Sequence, residues 1–312
     1  MEDSQLDSSY PLVTPVLLLP FSRPDTVRRV FEVVRAVKPR QLYIAADGPR
    51  IEEPDDEDKC QAARQIVTNV DWDCEVKTLF RKENLGPRMA VSTAVDWFFE
   101  NVSQGIILED DCLPDPTFFR FCQELLNKYR DDQRIMAISG DNFQLGRSVT
   151  EYSYYFSRFN HCWGWASWRR AWHYYDRDMK QWPSTRDSRY LYDFLSNKRV
   201  ARYWGRRFET VYRGKIDTWD YQWTFACWLQ GGLTIVPKVN LVTNIGFGRK
   251  SAHTRGRSLV ADLKSEAVSF PLTHPPVVFR NAAADDFEEK TLFGSVPVYK
   301  KVVNKLYDLL NG

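Results

Sequence analysis

Gln104-Gly-Ile-Ile-Leu-Glu109-Asp110-Asp111-Cys-Leu-Pro-Asp-Pro116 is the stretch on which the reading of this chain turns. Ile106 to Leu108 form the short apolar run of a strand buried on both faces, and the run stops at three adjacent carboxylates followed by a proline turn. Like charges so close together repel one another, and a divalent cation or a ring of donors relieves them. Ligand sites of open α/β sheets lie at this same carboxyl edge of the strands. The triplet therefore reads as a hard-cation site for a phosphorylated ligand, with Asp111 as the direct ligand. Read alone, it is also compatible with a solvated acidic turn, so the flanking sequence has to decide.

Upstream, strand and helix patterns alternate. Pro15 to Pro20 brackets an apolar run, Arg28 to Val37 has helical spacing, and Gln41 to Ala46 is a second strand ending at Asp47-Gly-Pro-Arg50. Lys59 to Asn69 and Pro87 to Asn101 read as helices around a third strand, Glu75 to Phe80. This β-α-β rhythm predicts a parallel sheet with crossover helices. On that topology Ser22 and Arg23, Asp47, Arg81 or Arg88, and Glu109 to Asp111 collect at one edge. A carboxylate there can accept from a base, arginines can pair phosphates, and the triplet can hold a bridging metal. Neither GxGxxG after the first strand nor GxxxxGK[ST] occurs, which disfavours dinucleotide oxidoreductases and P-loop enzymes.

Composition narrows the classes further. The chain has 312 residues, 27% charged and 43% hydrophobic, an ordinary globular balance. A formal net charge of +2 argues against general nucleic-acid binding. With no signal-like N-terminus and no apolar run of about 18 residues, the expected setting is cytoplasmic, with at most peripheral membrane contact. The six cysteines show no metal or disulfide spacing and read as reduced thiols. The 11 Trp and 15 Tyr concentrate in the second half, where flat rings with polar handles suit sugars or bases as well as a core.

Several motifs together resemble glycosyltransferases of the GT-A fold, and more narrowly the N-acetylglucosaminyltransferase I family with its protein O-mannose relatives. They are Phe21-Ser-Arg-Pro-Asp-Thr-Val-Arg-Arg29, Ala46-Asp47, and the apolar strand, Glu-Asp-Asp and Pro-Asp-Pro-Thr-Phe-Phe119 sequence. Cys162-Trp-Gly-Trp165 and Gly246-Phe-Gly-Arg-Lys250 add to these. The resemblance implies that Arg23 and Asp47 meet the uridine, that Arg88 stands near the nucleotide, and that Asp111 coordinates Mn²⁺ or Mg²⁺. It further implies that Glu109 and Asp110 lie against ribose and sugar, and that Arg249 and Lys250 belong to a loop closing over the diphosphate. Phe21 and Gly48 stand where secretory members of the family carry cysteines.

In the second half, Arg134 to Ser139 reads as a strand ending at Gly140-Asp141-Asn142, and Tyr152 to Phe156 as an edge strand. Trp163 to Tyr175 reads as a glycine-interrupted helical stretch in which Trp163 and Trp165 offer a platform to the donor sugar. Trp219, Trp223 and Ala226 share a helical face, with Asp217 or Asp220 near its N-terminus. A cap is the plain role for either acid; the resemblance makes Asp220 the catalytic base, with Asp217 as competitor. Arg199, Arg202, Arg206, Arg207 and Arg213, interleaved with Tyr203, Trp204 and Tyr212, read as a solvated helix face or as a surface for an anionic acceptor. His253 is an exposed loop residue or a diphosphate neighbour, and Val298 to Leu310 has helical spacing.

The expectation is one α/β domain of GT-A (Rossmann-like) type, with a mostly parallel sheet flanked by helices. It comprises a nucleotide-sugar half (12–150), an aromatic-rich acceptor half (151–255) and a loop-rich end with a C-terminal helix (256–312). The expected function is metal-dependent, inverting transfer of a sugar, N-acetylglucosamine by resemblance, from a UDP-sugar to a glycan or lipid-linked acceptor. Two alternatives stay open: a sugar-1-phosphate nucleotidyltransferase, and a non-catalytic carbohydrate or nucleotide-sugar binder.

Overall fold

The computed structural model describes residues 11–195, 197–246, 260 and 263–293. Eight strands form one sheet. β1 (Val16–Leu19), β2 (Gln41–Ala46), β3 (Glu75–Phe80) and β4 (Gln104–Glu109) alternate with α1 (Pro24–Val37), α2 (Asp56–Thr68) and α3 (Gly86–Asn101). Then come the short β5 (Cys112–Pro114), α4 (Thr117–Lys128), β6 (Ile135–Ser139), β7 (Tyr154–Ser157) and β8 (Trp165–Trp168). A helical run follows: α5 (Arg169–Trp172), α6 (Trp182–Arg186), α7 (Tyr190–Phe194), α8 (Lys198–Tyr212) and α9 (Asp220–Leu229). The described chain closes with β9 (Leu233–Pro237), β10 (Val242–Asn244), α10 (Ala282–Glu288) and a π-turn, Glu289–Phe293.

The strand order is β3-β2-β1-β4-β8-β6-β9-β7, and a two-stranded β10-β5 ribbon stands beside it. Parallel pairing joins β1 to β2 and β4, β2 to β3, and β6 to β9; only β8 and β7 run against the rest. This is an α/β, Rossmann-like, mostly parallel sheet flanked by helices. β4 lies at its centre, so Glu109 to Asp111 emerge from the middle of the carboxyl edge.

Period-two alternation divides the core between the two faces. Val16, Leu18, Ile106 and Leu108 pack with α1, α2 and α4, whereas Leu17, Leu19 and Ile107 pack with α3, α5 and α9. A third cluster joins Phe159 to Trp182, Trp204, Phe208, Phe225 and Trp228, tying α6, α8 and α9 together. α1 begins with Pro24, whose missing N–H costs nothing in a first turn, and stops at Lys38 in the left-handed region (φ 49°).

One expectation changes. Trp163 to Tyr175 is not helical at its start: Trp165 to Trp168 form β8, inserted antiparallel between β4 and β6. Alternation sends Trp165 to the α9 face and Trp168 to the α4 face, where its indole donates to the Leu126 carbonyl (3.0 Å). The predicted C-terminal helix lies outside the described residues. Among the described residues no helix is long and apolar enough to cross a membrane.

Candidate functional site

Arg23 ends the β1–α1 turn and reaches across to the end of β4, where its guanidinium pairs with Asp110 and, at 2.9 Å, with Asp111. Asp110 is buried at 4% side-chain exposure and also accepts the Phe21 amide (3.1 Å). Burial pushes Asp110 up to about 6 against the pull of Arg23. For Arg23 itself burial works against the charge, yet Asp110 and Asp111 outweigh it and hold the guanidinium protonated. Asp111 keeps 18% exposure and is the open member of the triplet.

β10 brings a second chain segment against this group. The Ile245 amide donates to the Asp111 carbonyl (2.8 Å), and Gly246 follows. A side chain on Gly246 would collide with the Asp111 carboxylate and with Arg23, so glycine is what allows the backbone to approach them. Arg249, Lys250 and His253, further along the chain, lie outside the described residues.

Glu109 belongs to a different set. Burial, then Asp111, Asp110 and Asp220, pushes its carboxyl up to about 8. Burial raises the Cys162 thiol well above its usual range, and the charges of Asp220, Glu109 and Asp141 push it the same way. Asp141, just past the end of β6, is fully buried. One of its oxygens accepts the Trp163 amide (2.9 Å), and the other has no hydrogen-bond partner among the described residues. Burial pushes its carboxyl well above the usual range. Sequence reasoning read Gly140-Asp141-Asn142 only as a strand end. Its lying at the same sheet edge as Glu109 was the available signal.

Asp220 opens α9. Thr218 donates to one of its oxygens, and the residue is half-buried. Asp217, three residues earlier, is exposed and accepts the Arg88 amide at the start of α3 (3.3 Å). Asp47 serves the same helix end: its carboxylate accepts the Leu85 and Gly86 amides at 3.0 and 3.1 Å. Burial raises its pKa while those amides pull it back. α3 has no side-chain cap of its own, so two distant carboxylates complete its N-terminus. The Arg88 guanidinium turns away, to the Arg177 carbonyl (2.9 Å) and Asp178 (3.0 Å).

The two tryptophans separate. Trp163 remains half-buried, with its ring edge-on to Phe143 (5.1 Å between centroids). Trp165, expected as a sugar platform, is 1% exposed and stacks on Trp219 (5.5 Å) beside Trp172 and Trp223. Strand alternation directs it into the core, leaving no face for a ligand.

Arg23, Glu109, Asp110 and Asp111 thus share one part of the edge with Asp220, and Asp47, Asp217 and Arg88 share another. Among the described residues no group of three or more His, Cys, Asp or Glu side chains is arranged to hold a metal ion. Asp111 is partly exposed, with Oδ2 on Arg23 (2.9 Å) and the Cys112 thiol 3.5 Å from Oδ1, so a cation held there would draw most of its ligands from phosphate oxygens and water.

No protein-family model matches this sequence, and no curated protein matches it. Among solved structures the chain is similar to an apo UDP-glucose pyrophosphorylase, with 8% identity and a TM-score of 0.39 over 75% of this chain and 93% of that one. It is also similar to a UDP-glucose pyrophosphorylase complexed with UDP-glucose, with 10% identity and a TM-score of 0.34 over 72% of this chain and 90% of that one. A cytidylyltransferase from Leptospira borgpetersenii shows 13% identity and a TM-score of 0.29 over 53% of this chain and 63% of that one. At this level of similarity the strand order, not the superposition, is the ground for the architecture.

Proposed function

We propose that this chain is a transferase acting on a nucleotide sugar bound at the carboxyl edge of β1 to β4. The observation that carries the proposal is the β4 terminus, where Asp110 and Asp111 are held by Arg23 while Glu109 shares its surroundings with Asp220. In this reading Asp111 holds Mn²⁺ or Mg²⁺ together with diphosphate oxygens, and the cation would stabilise the charge that develops on the leaving group. Arg23 fixes the triplet, and Arg249 and Lys250, given to the diphosphate by the family resemblance, lie outside the described residues.

Two reactions fit this site and differ in the bond that breaks. In glycosyl transfer, Asp220 takes the proton of an acceptor hydroxyl and the hydroxyl oxygen attacks the anomeric carbon. The bond from that carbon to the diphosphate then breaks with inversion, releasing UDP. The half-buried position of Asp220 beside Glu109, at a helix start, supports this reading. A UDP-sugar, with N-acetylglucosamine as the sugar, follows from the family resemblance. In nucleotidyl transfer, a phosphate oxygen of a sugar-1-phosphate attacks the α-phosphorus of a nucleoside triphosphate, and the bond from that phosphorus to the β-phosphate oxygen breaks, releasing pyrophosphate and leaving the nucleotide sugar. That is the type of reaction the pyrophosphorylases and the cytidylyltransferase above are named for, and the sheet architecture accommodates it equally.

One experiment separates them. The protein is screened for thermal stabilisation by UDP and UDP-sugars with and without Mn²⁺, where a ligand at 100 times its Kd adds about 2.7 kcal/mol. The stabilising UDP-sugar is then incubated with pyrophosphate or with acceptor glycans. Release of UDP supports glycosyl transfer, and formation of UTP supports nucleotidyl transfer. Stabilisation without either product supports a binding protein, and no stabilisation by any nucleotide overturns the proposal.

A further inference from the structure

Helix α8 carries a charge pattern that the donor site does not use. Between Arg186 and Lys215 nine basic residues stand against three acidic ones, a local charge of +6 in a chain whose formal net charge is +2. Val200, Ala201, Trp204, Phe208 and Val211 bury one side of the helix. Lys198, Arg199, Arg202 and Arg206 are therefore turned to solvent. Arg186 and Arg213 have acidic partners, Asp187 at 2.8 Å and Glu209 at 2.5 Å. No ion pair involving Lys198, Arg199, Arg202 or Arg206 occurs among the described residues.

The arrangement is linear and has a destination. Residues at i and i+4 share a row on a helix, so Arg199, Tyr203 and Arg207 line up, flanked by Arg202 and Arg206. At 1.5 Å per residue the row is about 12 Å long. At its end the Arg207 guanidinium lies over the Tyr203 ring (5.3 Å), and Tyr203 is backed by Phe293 (5.6 Å). Trp204 meets Tyr221 of α9 at 5.8 Å. Tyr221 directly follows Asp220 at the start of α9, so the Tyr203–Trp204 end of the row lies against the helix turn that carries the proposed base.

We infer that this row is the acceptor track and that the acceptor is an acidic glycan. Its carboxylate or phosphate groups pair with Arg199, Arg202 and Arg206, a sugar ring packs along Tyr203, and the Arg207 end presents a hydroxyl to Asp220. Alternating cation, aromatic and cation along one line suits a linear anionic chain, whereas a lipid headgroup plane spreads its charge in two dimensions and needs no stacking surface. The inference rests on the glycosyl-transfer reading, in which Asp220 faces the acceptor.

The test compares the full chain with the triple variant Arg199→Glu, Arg202→Glu, Arg206→Glu. Fluorescein-labelled oligogalacturonate is the probe, with a malto-oligosaccharide of equal length as the neutral control. Phosphatidylglycerol vesicles are the membrane arm, and the UDP thermal shift reports on the donor site. The unmodified protein is expected to bind the acidic chain and not the neutral one, with affinity falling as salt is raised. The triple variant should bind it at least about tenfold more weakly while keeping the same UDP shift. Equal binding by the variant, or no binding by the unmodified protein, overturns the track. A loss confined to the vesicles overturns it too, making the face a membrane contact. If the triple variant loses its thermal transition, Arg202→Glu alone replaces it and should weaken binding roughly threefold. Acidic-chain binding without any UDP shift would retain the track and overturn the donor reading instead.

Discussion

Two groups of carboxylates stand at the carboxyl edge of this sheet, and they are treated in opposite ways. At the start of α3, Asp47 and Asp217 accept backbone amides that the helix leaves without internal partners. At the ends of β4 and β6, Glu109 and Asp141 are pushed up by burial and by nearby acids, with one Asp141 oxygen unpartnered among the described residues. The first arrangement is paid for by hydrogen bonds and finishes a helix. The second is costly in the isolated chain, and carboxylates held at such cost are suited to a cation, a proton or a polar ligand. The chemistry is therefore expected where the acids are least satisfied.

The largest effect that would break this comparison is on turnover. Asp220→Asn should leave the UDP thermal shift in place and lower transfer by about 10² to 10⁴-fold, the range of a lost general base. Asp217→Asn should transfer at nearly the unmodified rate. Steady-state kinetics on the two variants decides the matter, and the reverse ranking would move the chemistry to the α3 end.

The next effect is pH-dependent. Asp141 has a folded-state pKa raised well above its unfolded value, so the folded protein holds a proton there that the unfolded chain releases. Its contribution to stability is thus fully present below the unfolded pKa and is lost as pH rises towards the folded one. The loss is at most about 1.4 kcal/mol per pH unit. Asp141→Asn keeps an oxygen for the Trp163 amide and cannot ionise, so its urea midpoint should gain on the unmodified protein between pH 5 and pH 8. A constant difference across that range would show that Asp141 is not held protonated.

Smaller effects belong to the satisfied group. Asp47→Ala should destabilise by about 1–2 kcal/mol, as loss of a helix cap does. Asp217→Ala, whose carboxylate is exposed and makes one long bond, should cost about 0.5 kcal/mol. Denaturant unfolding measures both. A stability loss at Asp47 no larger than at Asp217, with UDP binding abolished, would transfer Asp47 from the helix end to the ligand.

Local patterning announced most elements. β2 and β3 match their apolar runs residue for residue, and the Trp219, Trp223 and Ala226 stripe does pack on one side of α9. β8 was misread because Trp165-Ala-Ser-Trp168 is too short for its alternation to stand out against the helix-like aromatics after it. Asp141 was passed over because its distinction is a missing partner, a property of the folded surroundings. The pairing of Arg88 with Asp178, 90 residues away, is likewise invisible in the local sequence.

By itself the sequence determined the alternation of strands and helices, the central apolar strand and the acidic triplet at its end, since these follow from periodicity and from neighbours a few residues apart. Tertiary structure alone decided which acids complete the α3 terminus, that Asp141 is buried with one oxygen unpartnered among the described residues, that Arg23 belongs to Asp110 and Asp111, and that Trp165 is core. Each of those outcomes depends on the relative positions of segments tens to more than a hundred residues apart, and burial and pairing take effect only once the sheet has brought the segments together.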